Sequence, residues 1–178
     1  MRHYKKRINA FTLVELMVTI AIATILISIA IPSFTVFYED SRSEAAIRNI
    51  QQSLQLARNQ AISYGARVTV CPLSGTTCGD DWENGFKVFI DNGTIAKLDS
   101  TNGVDDKVII VVDPFHSSDF VSYDRNSISF SSEGSITGTY TSGIFSYCPT
   151  SKSNENTKAI EVTRTGRMKL STNTLTCS

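Results

Sequence analysis

The sequence predicts an α+β protein built as one long N-terminal helix packed on an antiparallel β-sheet head. Three observations carry that expectation. An unbroken apolar run covers residues 11–31 behind a short basic leader. Ile47, Ile50, Leu54, Ala57 and Ala61 then recur at alternating steps of three and four, which lays one apolar stripe along a helix. From Gly65 onward the pattern changes to short β-type runs separated by turn residues. The 178 residues thus divide into a leader (1–10), a hydrophobic helix (11–31), an amphipathic helix (32–64) and a β-rich head (65–178).

The leader, Met1-Arg-His-Tyr-Lys-Lys-Arg, carries Arg2, Lys5, Lys6 and Arg7, and such cations hold a flanking segment on the cytoplasmic side of a membrane. The run behind it, rising ~1.5 Å per residue, matches the ~30 Å of bilayer hydrocarbon, so the rest of the chain is expected outside. Within its first turns sits one carboxylate, Glu15. A charge inside a span costs ~2.5–3.5 kcal/mol on insertion scales, so this one calls for a cationic partner at the same depth. A secretory signal peptide has an apolar core of roughly 7–15 residues and a small-residue cleavage site after it, and neither fits. A plain signal anchor fits the length but gives no reason for Glu15.

After Pro32 the helix is expected to run to about Tyr64, with Arg48, Gln51, Gln52, Gln55, Arg58 and Asn59 around the apolar stripe. Gly65 is the stop. Strands are expected at 67–71, 85–90, 94–98, 108–112, 127–130, 143–148, 159–163 and 167–170, with Asp91-Asn92-Gly93 and Thr163-Arg-Thr-Gly166 as hairpin turns. In the second of these strands Phe86, Val88 and Ile90 alternate with Lys87 and Phe89, the pattern of one buried face. Trp82, the single tryptophan, is expected to anchor the helix–sheet core. The polar stretches 99–106, 131–142 and 150–157 read as surface loops.

After the leader and span, roughly 140 residues remain, enough for one compact domain. The whole chain balances 17 basic against 17 acidic residues, and without the four leader cations the balance is 13 against 17, so no global basic character points to nucleic acid. The four cysteines fall in the exported part, where disulfides form. Of three possible pairings, the local one, Cys71 with Cys78 and Cys148 with Cys177, is favoured. Structural zinc wants short knuckles, and the histidines, His3 and His116, are ill placed for it. His116 reads as a loop residue. No P-loop, G-x-S-x-G or H-E-x-x-H string appears, so neither an enzyme nor a cofactor is expected. The acid pairs Asp80-Asp81 and Asp105-Asp106 read as solvated loop charge, with weak calcium binding as the alternative.

The string Ala10-Phe-Thr-Leu-Val-Glu-Leu resembles the class III signal of type IV pilins and type II secretion pseudopilins, over Ala10 to Ile31. The resemblance implies cleavage between Ala10 and Phe11 by a prepilin peptidase, N-methylation of Phe11, and a role for Glu15 in neutralising a neighbour's terminal amine during assembly. This chain has Ala10 where the family usually has Gly, which keeps a small residue at the cut. Pro32 falls where pilins usually kink. Further along, Cys71-Pro-Leu-Ser-Gly-Thr-Thr-Cys78 followed by Asp81-Trp82-Glu-Asn-Gly-Phe-Lys-Val-Phe-Ile-Asp91 is similar to the FimT/FimU/GspH group of minor pilins and pseudopilins.

That resemblance implies a pilin fold, other major and minor pilins as partners, the inner membrane before assembly with the head in the periplasm, and a surface pilus afterwards. A GspH-like pseudopilin of a secretion system is the alternative. Some members of the group bind DNA in natural transformation through a C-terminal Gly-Arg-x-Arg element. The corresponding string here is Gly166-Arg167-Met168-Lys169, with Arg164 before the turn and Lys169 in place of the second Arg. From Lys152 onward five basic residues stand against two acidic ones, a local excess suited to phosphate contact. The plain alternative is a solvated hairpin.

Overall fold

The computed structural model describes residues 11–101, 104–138, 142–153, 155–171 and 176–177. Its elements in chain order are α1 (Leu13–Tyr64), β1 (Val68–Cys71), β2 (Leu73–Ser74), β3 (Thr77–Cys78), β4 (Phe86–Ile90), β5 (Ser100–Thr101), β6 (Val104–Asp105), β7 (Lys107–Val112), β8 (Phe120–Tyr123), β9 (Ile128–Phe130), β10 (Ser142–Cys148), β11 (Lys158–Thr163) and β12 (Met168–Ser171). A 3-10 turn at Trp82–Asn84 precedes β4. The chain forms two compact units, one ending at Tyr38 and the other spanning Glu39–Ser178.

In the first unit, α1 is long and apolar enough to cross a membrane, and none of its most apolar stretch is buried within the protein. The hydroxyls of Thr19, Thr24 and Ser28 donate to the carbonyls of Leu16, Ala21 and Ile25 at 2.7–2.8 Å. These three polar side chains of the apolar stretch are thereby satisfied within the helix, as an apolar surrounding would require.

The second unit is a helix on two antiparallel sheets. The expected stripe is fully enclosed: Ile47, Ile50, Leu54, Ala57 and Ala61 are each 0% exposed. They join one hydrophobic cluster with residues of both sheets, whose orders are β7-β4-β1-β9 and β12-β11-β10-β8. β1 is central in the first, pairing antiparallel with β4 (Val70 opposite Val88) and with β9 (Val68 opposite Phe130). Two ladders of two-residue strands, β2–β3 and β5–β6, complete the set. Trp82 is buried, with its ring edge-on to Phe145 at 4.9 Å and to Tyr123 at 5.5 Å, and its indole N–H donates to Arg125 O at 3.0 Å. It ties the turn before β4 to the second sheet, the anchoring role expected of it.

Several readings are corrected. Residues 94–98 form no strand: Ala96 has φ 60°, and apart from the bridge of Lys97 to Thr77 the segment is turn. Consequently Asp91-Asn92-Gly93 is not a hairpin turn between strands. Asp91 is buried because it accepts from Arg67 Nη2 at 2.7 Å, Thr69 Oγ1 at 2.6 Å and Ala96 N at 3.0 Å, a polar knot that holds the turn down. Phe89 is as buried as Val88, since the β4–β7 register shifts between them and breaks the simple alternation. The segment after Asp119 yields β8, which pairs with β10. The stretch 99–106, expected as loop, carries β5 and β6.

The beginning of the head helix is fastened to the second sheet. Arg42 Nη2 donates to Asp119 Oδ1 at 2.7 Å, Lys158 Nζ stands 2.8 Å from Asp40 Oδ1, and Thr150 Oγ1 donates to Glu39 Oε1 at 3.2 Å. Asp119 is 0% exposed at its side chain and also accepts from the Tyr147 hydroxyl, Ser118 Oγ and the Thr150 N–H. Burial, reinforced by Asp119, pushes the Tyr147 hydroxyl well above the usual tyrosine range. Both local disulfides form, Cys71–Cys78 and Cys148–Cys177; the second holds Cys177 beside β8, its Sγ 3.5 Å from Phe120 O, and Cys177 N donates to Lys152 O at 2.9 Å.

Candidate functional site

Two regions hold the residues singled out by the sequence. The first is the start of α1. Ala10 lies outside the described residues. Phe11 is 79% exposed, and Thr12 Oγ1 accepts from the Glu15 N–H at 3.2 Å, so Thr12 caps the first turn and sets Glu15 on it. Glu15 is exposed among apolar neighbours, Leu13 at 73%, Val14 at 68% and Leu16 at 56%. An isolated carboxylate on such a surface is chemically an acceptor awaiting a cation.

The second region is the β11–β12 hairpin. Its turn closes through Gly166 N to Thr163 O at 2.8 Å and Thr163 N to Arg167 O at 2.9 Å. Gly166 has φ 73°, and a Cβ there would stand 2.2 Å from Gly134 O and 2.9 Å from Arg58 Nε. Only glycine fits, for a packing reason. Arg58, on α1, donates Nε to Gly134 O at 2.9 Å, so its guanidinium sits against the same hairpin. A depression of about 340 Å³ is lined by Gln55, Arg58, Asn59, Gly166, Arg167 and Met168. Arg164, Arg167 and Lys169 are exposed, and Lys169 stands opposite Glu161 in the β11–β12 register. Among the described residues, Arg164, Arg167 and Lys169 have no ion-pair partner. Arg58 is visible in the sequence only as one polar residue flanking the apolar stripe. Its place beside Gly166 is a contact across more than a hundred residues that no local pattern encodes.

His116 meets partners that its sequence surroundings do not single out. Its Nδ1 is 2.8 Å from Ser118 Oγ and 4.0 Å from Asp119 Oδ1, yet Ser118 Oγ reaches the same Asp119 oxygen at 3.1 Å. All three lie within four residues of one loop, and Asp119 is committed to Arg42 and Tyr147, so the group locks a turn. Among the described residues no cluster of His, Cys, Asp or Glu is arranged to hold a metal ion, the acid pairs at 80–81 and 105–106 included. Asp106 instead accepts from Asn92 N at 2.7 Å and Asp99 N at 3.0 Å, tying two loops together.

Comparison with known proteins agrees with the N-terminal region and the head. Residues 5–31 match the prokaryotic N-terminal methylation motif, and residues 46–166 match the family described as type II transport protein GspH. The methylation motif implies processing by a prepilin peptidase. No curated protein matches the sequence. The crystal structure of the type IV minor pilin FimU of Pseudomonas aeruginosa is similar, with 19% identity, a TM-score of 0.57, and coverage of 76% of this chain and 92% of that one. A second crystal form of FimU gives 17% identity, a TM-score of 0.55, and coverage of 72% and 91%. The minor pseudopilin EpsH of Vibrio cholerae is a more remote likeness, at 12% identity, a TM-score of 0.48, and coverage of 73% and 96%. The fold is the pilin fold, the relatives are structural subunits, and with two thirds of its length within that family model the chain belongs to the GspH family of minor pilins and pseudopilins.

Proposed function

We propose that this chain is a minor type IV pilin that enters a pilus as a structural subunit and takes part in priming its assembly. One observation carries the reading: Glu15 stands exposed on the first turn of an unburied apolar helix, four residues from Phe11. Cleavage between Ala10 and Phe11 creates a new amine at the depth of that carboxylate, and a neighbouring subunit's amine is then the cation that offsets its cost. Phe11 is the residue methylated. Before assembly the helix anchors the subunit in the inner membrane with the head in the periplasm, as the leader cations favour.

A pseudopilin of a type II secretion system is the second reading, and the GspH family match favours it. Both share the processed N-terminus and differ in the filament entered. To the resemblance and local cation excess behind the DNA-binding reading of Arg164, Gly166, Arg167 and Lys169 the structure adds exposure of the three cations, while Gly166 is accounted for by its packing on Arg58 and Gly134 and Lys169 faces Glu161.

The test is mass analysis of the mature N-terminus together with fractionation. A methylated Phe11 terminus on protein recovered in sheared surface pili is the expected result. An uncut leader overturns processing, and a processed subunit confined to a secretion complex turns the assignment to the pseudopilin.

A further inference from the structure

The second sheet carries opposite charge at its two borders. At the β12 border stand Arg164, Arg167 and Lys169, with Arg58 beside them and Glu133 and Glu161 as the acids nearby. At the β8 border the loop of Asp80, Asp81, Trp82 and Glu83 is held by Trp82 against Tyr123. A depression of about 370 Å³ there is lined by Asp80, Asp81, Glu83, Ser122 and Tyr123. Asp124 lies at the end of β8, accepting from Ile144 N; the cations nearby are Arg125, Lys87, which lines a depression with Asp80 and Asp81, and Lys152, whose Nζ stands over the Phe120 ring of β8. Three strand spacings, together ~14 Å, separate the borders.

Arg164, Arg167, Lys169, Asp80, Asp81 and Glu83 are all exposed, and among the described residues none of the six has an ion-pair partner. A two-fold contact through either border sets like charges against each other. A head-to-tail contact sets opposite charges together and leaves one border of each end copy free for a further copy. We propose that the β12 border of one head docks on the Asp80, Asp81 and Glu83 border of a second copy of this chain. The proposal deepens the subunit reading and rests on it for its setting, while the contact itself forms without a filament.

The test uses the full chain in detergent micelles, mixing isotope-labelled and unlabelled copies with a carbodiimide that condenses an amine and a carboxylate in direct contact. The expected product is a mixed-isotope cross-link from Lys169 to Asp80, Asp81 or Glu83, falling about ten-fold between low salt and ~0.5 M salt as the screening length shortens. Arg164→Glu with Arg167→Glu, which keeps Lys169, and Asp80→Lys with Asp81→Lys, which keeps Glu83, should each abolish it. Mixing the two reversed variants should restore a link between Lys169 of the first and Glu83 of the second. Absence of the link in the parent, or its persistence in either variant alone, overturns the proposal. So does retention of duplex DNA by a parent that shows no link, which assigns the cations to nucleic acid. None of these results bears on the processing and location of the subunit, which are read separately.

Discussion

Arg42 and Asp119, 77 residues apart in sequence, meet as a 2.7 Å ion pair that fastens the first turn of the head helix to the loop before β8. The Arg42 side chain is 16% exposed and that of Asp119 is 0% exposed, so neither partner has much water to fall back on. Removing one member of such a pair costs about 3–5 kcal/mol because the survivor is left charged and buried. Asp119→Ala is therefore expected to lower the stability of the head by that amount in urea denaturation. Asp119→Leu combined with Arg42→Met should cost less than Asp119→Leu alone, because no buried charge survives, while the Tyr147 hydroxyl and the Thr150 N–H lose their acceptor in both. A single-variant loss below about 1 kcal/mol would count against the pair as an organiser of this seam.

The same carboxylate makes the head sensitive to alkali. The Tyr147 hydroxyl titrates above its unfolded value of about 10 because it is buried and donates to Asp119. A folded pKa above the unfolded one means that this contribution is complete below about pH 10 and is lost as pH rises toward the folded value. Tyr147→Phe should lower stability at neutral pH by about 1.5–3 kcal/mol, the worth of a hydrogen bond to a charged group. It should also flatten the decline of melting temperature above about pH 10, and an unchanged alkaline slope would refute the assignment.

Gly166 and Gly138 offer a matched comparison. Both have positive φ, 73° and 94°, yet a Cβ at Gly166 meets Gly134 O at 2.2 Å whereas nothing lies within 4 Å at Gly138. Gly138→Ala should cost only the strain of a left-handed backbone, about 1–2 kcal/mol. Gly166→Ala should cost roughly 1–3 kcal/mol more, because the hairpin must move off Gly134 and Arg58. Thermal melts of the two variants check this, and equal losses would show that the hairpin shifts freely.

The disulfides should differ in weight. In the loop-entropy account, the bond closing the shorter separation, 7 residues between Cys71 and Cys78, is worth roughly 2.5 kcal/mol, and the 29 residues between Cys148 and Cys177 roughly 3.5 kcal/mol. Paired Cys→Ser replacements measured by denaturation should reproduce that order. The reverse order would mean that contacts in the folded head outweigh the freedom each bond removes from the unfolded chain.

How far the fold is readable follows from where the decisive contacts lie. The helix stripe from Ile47 to Ala61 is legible because a 3.6-residue period states itself within a single segment, and all five residues are enclosed. The β11–β12 hairpin is legible through Gly166. β8 is not, since Phe-Val-Ser-Tyr is short and follows a buried Asp119 whose burial depends on Arg42 and Tyr147 from other elements. Residues 94–98 look like a strand, but Asp91 pins that segment as a turn through Thr69 and Ala96, partners that alternation does not reveal. The site divides in the same way. Phe11 and Glu15 belong to one contiguous string, whereas Arg58 reaches the C-terminal hairpin only through tertiary packing.

Glu15 can be separated from the folding of the head by substitution. Replacing it with Val removes a charge whose insertion costs ~2.5–3.5 kcal/mol, so membrane entry should be at least as efficient as in the parent. Among the described residues the buried core lies entirely between Ser43 and Cys177, so the head should keep its melting temperature. On the proposed reading, what the variant loses is the carboxylate on the first turn that a neighbour's Phe11 amine would meet. Glu15→Val is thus expected to accumulate as cleaved, folded, membrane-bound subunit and to be missing from sheared filaments, and Glu15→Gln should behave likewise, since the amide keeps the shape without the charge. Immunoblots of membrane and filament fractions read both outcomes. Incorporation of either variant at the parental level would mean that apolar packing alone carries the subunit into the filament, and the role given to Glu15 would have to be abandoned.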